Sequence, residues 1–493
     1  MTKDTLWRAA AVIAICLFPL LNFLAVNADV LAPSPASTRY VFFIIVGLAL
    51  LGLCLLAVAG RFGKAGAFMA WWVMGVLAFF HYGVVPDPTH AMLKSAGLTW
   101  LPNLSLLLLA AIAVWILRRY TRRPAFQKFV ATFALALAAL AGIRCAMAWA
   151  EISAAGITAT APAKIAAAPR RTHENIYYII LDGYAGNRGM RDFLHFDNRA
   201  FLRGMASAGF SDVGGADSNY FRTNEALGGI FNLDYLPARR NPELLFPRVR
   251  DHHAPLTDRL RGLGYDLWQT ESLYFGCGGV MLACLNRQQG HLDAVYVTQS
   301  FLLDSLASRY TAFFLRKPDA AFATVANNQQ HLMASGKPFF VFVHQLYPHP
   351  PYLLDAQCRP RLPDDAHWNS WDAEAIPEYL DVVRCLNTSV QAFVTRITRN
   401  DPDAIIVIQS DHGSAFGVPL NTDSRGWSRK ALSERSSFLN LVRAPQACKP
   451  WLPPALGQVN TARFVLACTE RRPPDYLPER SWLDTEERGG RSD

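Results

Sequence analysis

Apolar positions along this chain follow two different rules. Over the first 150 residues they form long runs, at 9–28, 40–60, 65–85, 95–117 and 129–150. The first four contain no Asp, Glu, Lys or Arg, and the fifth contains Arg144. Each has about the 20 residues that a helix needs to cross a hydrocarbon core. Residues 151–172 are rich in Ala, Thr and Pro and read as a linker. Beyond them the runs shorten. The segments 175–181, 339–343 and 404–410, with a weaker one at 437–442, are continuous, aromatic or β-branched stretches. Runs of that kind are strands buried on both faces of a mostly parallel sheet. Helical spacing separates them at 199–208, 224–233, 256–263, 375–399 and 461–468. The pattern predicts a multi-span α-helical membrane domain followed by an α/β domain with a mostly parallel central sheet. Its boundaries are a five-helix transmembrane domain over 1–150, a linker over 151–172, an extracytoplasmic α/β domain over 173–475 and a polar tail over 476–493, frayed from Pro474 on.

Charge orients the membrane domain. Lys3 and Arg8 precede the first run, and Arg61 and Lys64 fill the second loop. Arg118, Arg119, Arg122, Arg123 and Lys128 crowd the fourth loop, whereas the first offers Arg39 and the third Lys94. By the positive-inside rule the N-terminus is cytoplasmic, and five crossings put everything after residue 150 outside. Val26-Asn27-Ala28 also resembles a leader cleavage site, which leaves a cleaved first run as the alternative.

Lys plus Arg number 48 and Asp plus Glu 39, a net charge of +9 that the cytoplasmic loops account for. With no zinc-finger spacing, basic helix or basic-aromatic repeat, nucleic acid is not an expected partner. Six of the nine cysteines (Cys277, Cys284, Cys358, Cys385, Cys448, Cys468) follow the apolar runs. An even number in an oxidising compartment reads as disulfides whose pairing spacing leaves open. Nearest-neighbour pairing is the simplest choice.

Candidate chemistry sits at the ends of the strand runs, where parallel sheets bind ligands. Asp182 follows 175–181 directly, and Asp411-His412-Gly413 follows 404–410. One Asp alone reads better as a turn residue or helix cap. Two such endings, one carrying a histidine, point to a divalent metal, zinc or manganese. Thr223 stands at the start of a helical pattern, where the bland reading is an N-cap. Arg222 and Arg435 are candidate oxyanion clamps beside their surface roles. His344 ends a strand run and is placed to line the same pocket. His252-His253 reads as a solvated surface pair and His81 as packing within a span.

In order, Leu181-Asp182-Gly183-Tyr184, the segment 220–224 with Thr223, Pro348-His349-Pro350-Pro351-Tyr352 and Ser410-Asp411-His412-Gly413 resemble the alkaline phosphatase superfamily in its sulfatase-like branch. With membrane spans ahead of them, the chain is similar to lipoteichoic acid synthases and phosphoethanolamine transferases of bacterial envelopes. The resemblance implies that Asp182, Asp411 and His412 bind one divalent metal and that Thr223 is both ligand and nucleophile. It implies that His349 contacts the phosphoryl or sulfuryl oxygens or protonates the leaving group. It also implies a bacterial inner-membrane enzyme with its catalytic domain on the periplasmic or outer face. Such an enzyme takes a phospho-headgroup from a membrane phospholipid and passes it to an envelope glycan or lipid. Ester hydrolysis is the alternative, and an inactive assembly scaffold a more distant one.

Three departures bear on this. Formylglycine sulfatases carry Cys or Ser followed by x-Pro-x-Arg, whereas Asn224-Glu225-Ala226 follows Thr223. No histidine follows His412, so a complete second metal set is missing. The transferases usually place Glu where Asp182 stands. Oligomeric state is not legible in the sequence.

Overall fold

The computed structural model describes residues 3–28, 38–81, 117–154, 173–236, 254–270, 319–352, 354–360, 370–420 and 424–481, with isolated positions between them. The chain forms two compact units. One comprises residues 1–157, 290–315 and 362–366, and the other comprises 158–289, 316–361 and 367–493.

The first unit is helical: α1 (Lys3–Val26), α2 (Arg39–Arg61), α3 (Ala65–Phe80) and α4 (Pro124–Ala154). Three stretches, Lys3–Val26, Arg39–Arg61 and Pro124–Ala150, are long and apolar enough to cross a membrane. Helix α3 is shorter, at 16 residues. The rest of the third apolar run and most of the fourth lie outside the described residues. His81 packs, with its ring 6.0 Å from that of Phe18, and Arg144 lies exposed on α4. The described positions between 290 and 315 group with the helical unit. Phe301 shows why: its ring lies 5.4 Å from Phe23 and 5.2 Å from Phe80.

The second unit is built on a seven-stranded sheet: β1 (Ile176–Leu181), β2 (Ser211–Asp212), β3 (Asp266–Gln269), β4 (Ala283–Cys284), β5 (Phe339–Gln345), β6 (Ile405–Gln409) and β7 (Asn440–Arg443). The order is β2-β7-β6-β1-β5-β3-β4. From β6 to β4 all neighbours are parallel, while β7 runs antiparallel to β6 and β2 antiparallel to β7. Alternate side chains face opposite layers. Tyr177, Ile179, Val341 and Ile406 join one core with α9 (Asp319–Ala334) and α10 (Ile376–Asn400). Tyr178, Ile180, Phe342 and Val407 join the other with α7 (Thr223–Asn232), α8 (Pro255–Gly262) and α12 (Gln458–Thr469). The short helices α5 (Asn187–Asp192), α6 (Arg199–Ser207) and α11 (Arg429–Ser436) complete the unit. Burial on both faces is why the central strands read as unbroken apolar runs.

Nearest-neighbour cysteine pairing holds at Cys358–Cys385 and Cys448–Cys468, while Cys277 lies outside the described residues. Residues 474–481 do not fray as the polar pattern predicted. Tyr476 donates to Trp451 O at 2.7 Å, and Glu479 accepts from Gly457 N at 3.0 Å and from Asn460 at 2.9 Å.

Candidate metal and active site

Strand order converts three sequence positions into one site. With β1 between β6 and β5, all parallel, the residues just past β1 and β6 meet those at the end of β5. Asp182, Asp411 and His412 are buried there, with ligand atoms within 4.8 Å of one another. Among the described residues this is the one such cluster of three.

The backbone fixes each ligand. Asp182 N donates to Gln345 O at 2.8 Å, and Asp182 O accepts from His349 N at 3.0 Å. Asp411 Oδ1 accepts from Gly183 N at 2.9 Å and from His412 N at 3.0 Å. His412 Nδ1 lies 3.0 Å from Gly413 O. A carbonyl only accepts, so the ring proton sits on Nδ1 and the Nε2 lone pair faces inward. It lies 3.2 Å from Asp411 Oδ2 and 3.6 Å from Asp182 Oδ1. Those two oxygens are buried with no hydrogen-bond partner. Burial and then the neighbouring Asp411 carboxylate push the Asp182 carboxyl well above its ordinary range. Burial and then Arg435 push His412 well below its own, keeping it neutral. Three inward lone pairs are costly when buried unless a proton or a cation lies between them. A divalent cation resolves that conflict, so the residues present fit one.

Thr223 reaches the cluster from α7. Its Oγ1 lies 3.5 Å from His412 Nε2. The N-cap reading of Thr223 is displaced: Arg222 occupies that position, with extended backbone and no side-chain cap bond. In the first turn of α7 Glu225 N donates to Asn224 Oδ1 at 3.0 Å, while the N-cap residue supplies no side-chain acceptor and its exposed guanidinium stacks on Phe221. That arrangement favours an anion. The pair Gly228-Gly229 does not break the helix. A Cβ on Gly229 would lie 2.9 Å from Tyr220 and 3.0 Å from Val459, so glycine permits the close packing of α7.

His344 and His349 both arrive at the site. His344 Nε2 lies 3.7 Å from Asp182 Oδ2, and burial pushes its pKa down to about 4. His349 is half-buried, its Nδ1 2.8 Å from Pro350 O and its ring 5.4 Å from Trp371; burial lowers its pKa too. Arg435 differs from its expected role as a clamp. Its Nε and Nη2 donate to Phe221 O at 3.1 and 2.6 Å, and its Nη1 donates to Gly413 O at 3.0 Å. It braces the Thr223 loop against the His412 loop, and burial pushes its pKa down to about 10. Gly413 is required at that crossing, because a Cβ there would lie 2.4 Å from both Glu434 O and Ser437 O. His252 and His253 lie outside the described residues.

Sequence reasoning missed the other braces. Gln458, the first residue of α12, donates to Asp411 O at 2.8 Å and accepts from Asn219 N at 2.7 Å. Glu434 accepts from Ser414, Phe416 N and Gly417 N at 2.7–2.9 Å, holding the loop after Gly413. Tyr379 O–H donates to Gly183 O at 3.1 Å and accepts from Ala185 N at 2.9 Å. No local spacing marks these residues, since each acts on loops far away in sequence.

The sulfatase family model matches residues 243–435. That segment contains His344, His349, Asp411, His412 and Arg435; Asp182 and Thr223 precede it. No curated protein matches the chain. Among solved structures, the chain is similar to the integral membrane lipooligosaccharide phosphoethanolamine transferase EptA of Neisseria meningitidis. The identity is 14%, over 93% of this chain and 95% of that one, with a TM-score of 0.41. It is similar to the C-terminal periplasmic domain of EptC from Escherichia coli at 14% identity, over 66% and 92%, with a TM-score of 0.40. It is similar to the lipoteichoic acid synthase LtaP of Listeria monocytogenes at 10% identity, over 60% and 72%, with a TM-score of 0.38. Residues 243–435, about two fifths of the chain, thus match the sulfatase family, and they hold two of the three clustered ligand residues, Asp411 and His412.

Proposed function

We propose that this is a bacterial inner-membrane enzyme, its α/β domain on the periplasmic or outer face. It moves a phospho-headgroup, of the phosphoglycerol or phosphoethanolamine class, from a phospholipid to an envelope glycan or lipid. The observation that carries this reading is the position of Thr223. Its hydroxyl lies 3.5 Å from His412 Nε2, at the start of a helix whose N-cap residue makes no side-chain cap bond, beside buried carboxylate oxygens of Asp182 and Asp411.

In the first half-reaction the Thr223 oxygen bonds to phosphorus, and the bond from phosphorus to the diacylglycerol oxygen breaks. The hydroxyl proton passes to water, and the departing oxygen takes a proton from water by way of His349. In the second half-reaction an acceptor hydroxyl bonds to the same phosphorus and Thr223 regains its proton. Asp182, Asp411, His412 and Thr223 would hold one divalent ion, zinc or manganese, whose charge favours the ionised hydroxyl. The start of α7 and Arg222 receive the anionic phosphate.

Intact-mass and peptide mass spectrometry of the purified protein after incubation with phospholipid extract test this. The expected result is a headgroup-phosphate adduct on Thr223 and released diacylglycerol. Diacylglycerol release with no adduct on Thr223 would overturn the mechanism. Adduct decay to free phospho-headgroup in the presence of glycan and lipid acceptors would make the enzyme a hydrolase.

A further inference from the structure

A cavity of about 400 Å³ opens at one end of the helical unit, far in sequence from the catalytic residues. It is lined from the first two turns of α1, from Pro124 to Thr132 along α4 and from Met69 of α3. The starts of α1 and α4 therefore converge on one hollow, with the second turn of α3 beside them. Helix starts carry partial positive charge and favour acidic residues. Here Lys3, Arg8 and Lys128 line the hollow against the single carboxylate of Asp4. Neither α3 nor α4 has an acidic residue in its first turn. No hydrogen bond or ion pair engages Lys3, Arg8 or Lys128 among the described residues. Loop charge that only sets orientation does not require a hollow. A volume of this size lies within the range of small-ligand sites. Trp7 at its wall suits the level of the headgroups.

We infer that this cavity binds the phosphodiester headgroup of an anionic phospholipid from the cytoplasmic leaflet. The shared chemistry is a phosphate oxyanion held by guanidinium and ammonium groups over helix N-termini. The lipid is the source to which the Trp7 wall and the placement at a helix-bundle end commit it. This site is independent of the reading given to Thr223.

Native mass spectrometry of the full-length protein, released from mixed phosphatidylglycerol and phosphatidylcholine nanodiscs, tests the inference. Phosphatidylglycerol should be retained in preference to phosphatidylcholine. Arg8→Gln with Lys128→Gln should lower that retention roughly twenty-five-fold, taking about fivefold for each lost cation. Arg61→Gln with Lys64→Gln removes equal charge from the same end without touching the cavity, and retention should stay within about twofold. The charge-keeping pair Arg8→Lys with Lys128→Arg should retain the lipid. Equal loss in both glutamine pairs, loss in the charge-keeping pair, or no preference over phosphatidylcholine would overturn the inference. Displacement by millimolar inorganic phosphate would assign the hollow to a soluble anion and overturn the lipid reading.

Discussion

Two rings of polar residues surround the end of the sheet, and they differ in how their atoms are used. In the inner ring, Asp182 Oδ1 and Asp411 Oδ2 are buried without partners and the His412 lone pair faces them. In the outer ring, Arg435, Gln458, Glu434 and Tyr379 spend their donors and acceptors on backbone groups. An unmet buried polar atom costs stability, and a met one does not. The inner ring therefore carries a cost that the fold alone does not explain, while the outer ring is explained by the loops it holds. A residue of the inner ring should change chemistry with little loss of fold, and one of the outer ring should do the reverse.

The sharpest test is Thr223→Ala. Turnover should fall by roughly three orders of magnitude or more, because the covalent route is closed. Unfolding free energy should change by less than about 2 kcal/mol, since no cap is lost. Bound metal should largely remain. Headgroup release from phospholipid, read beside elemental analysis, checks both. A fully active Thr223→Ala enzyme would sink the mechanism. Asp411→Asn comes next: metal affinity and activity should fall together, by roughly 10–100-fold in affinity. Activity lost at full metal content would break the assignment of Asp411 as a ligand.

Arg435→Met should act in the opposite sense. It leaves Phe221 O and Gly413 O short of donors and should cost about 2–4 kcal/mol in denaturant unfolding, with metal stoichiometry intact. Loss of the metal with unchanged stability would move Arg435 into the inner ring. The smallest effect concerns pH. The raised Asp182 pKa means that a proton must leave before a cation enters, whereas His412 is already neutral. Cation affinity should therefore rise with pH, by up to about tenfold per unit below the raised pKa, and level off above it. Calorimetry in two buffers of different ionisation enthalpy should show one proton released per ion. A flat profile would mean that Asp182 is already ionised in the free protein.

The inner ring was legible because each of its members touches a local signal. Asp182 and Asp411 directly follow buried strands, and Thr223 opens a helix. The outer ring was not, because Gln458 and Arg435 act across separations that leave no periodicity. The same limit applies to the fold. The central strands β1, β5 and β6 each open on a run of at least four apolar residues and announce themselves. Strand β3 has the sequence DLWQ, two polar residues in four, and only its neighbour β5 makes it a strand. Helix α9 was hidden by the polar run Asn327-Asn328-Gln329-Gln330 on an otherwise apolar segment. The packing of Phe301 rests on Phe23 and Phe80, more than two hundred positions away.

The clasp formed by residues 474–481 has a practical corollary. Glu479 grips Gly457 and Asn460 on either side of Gln458, and Gln458 in turn holds the carbonyl of Asp411. The far end of the polypeptide is thus mechanically linked to the reacting centre, although none of its atoms belongs there. A fusion partner joined after residue 481 leaves the linkage whole. One joined after 473, or a peptidase that trims the chain that far, unlatches it. Preparations that differ only in their last twenty residues should then differ in specific activity.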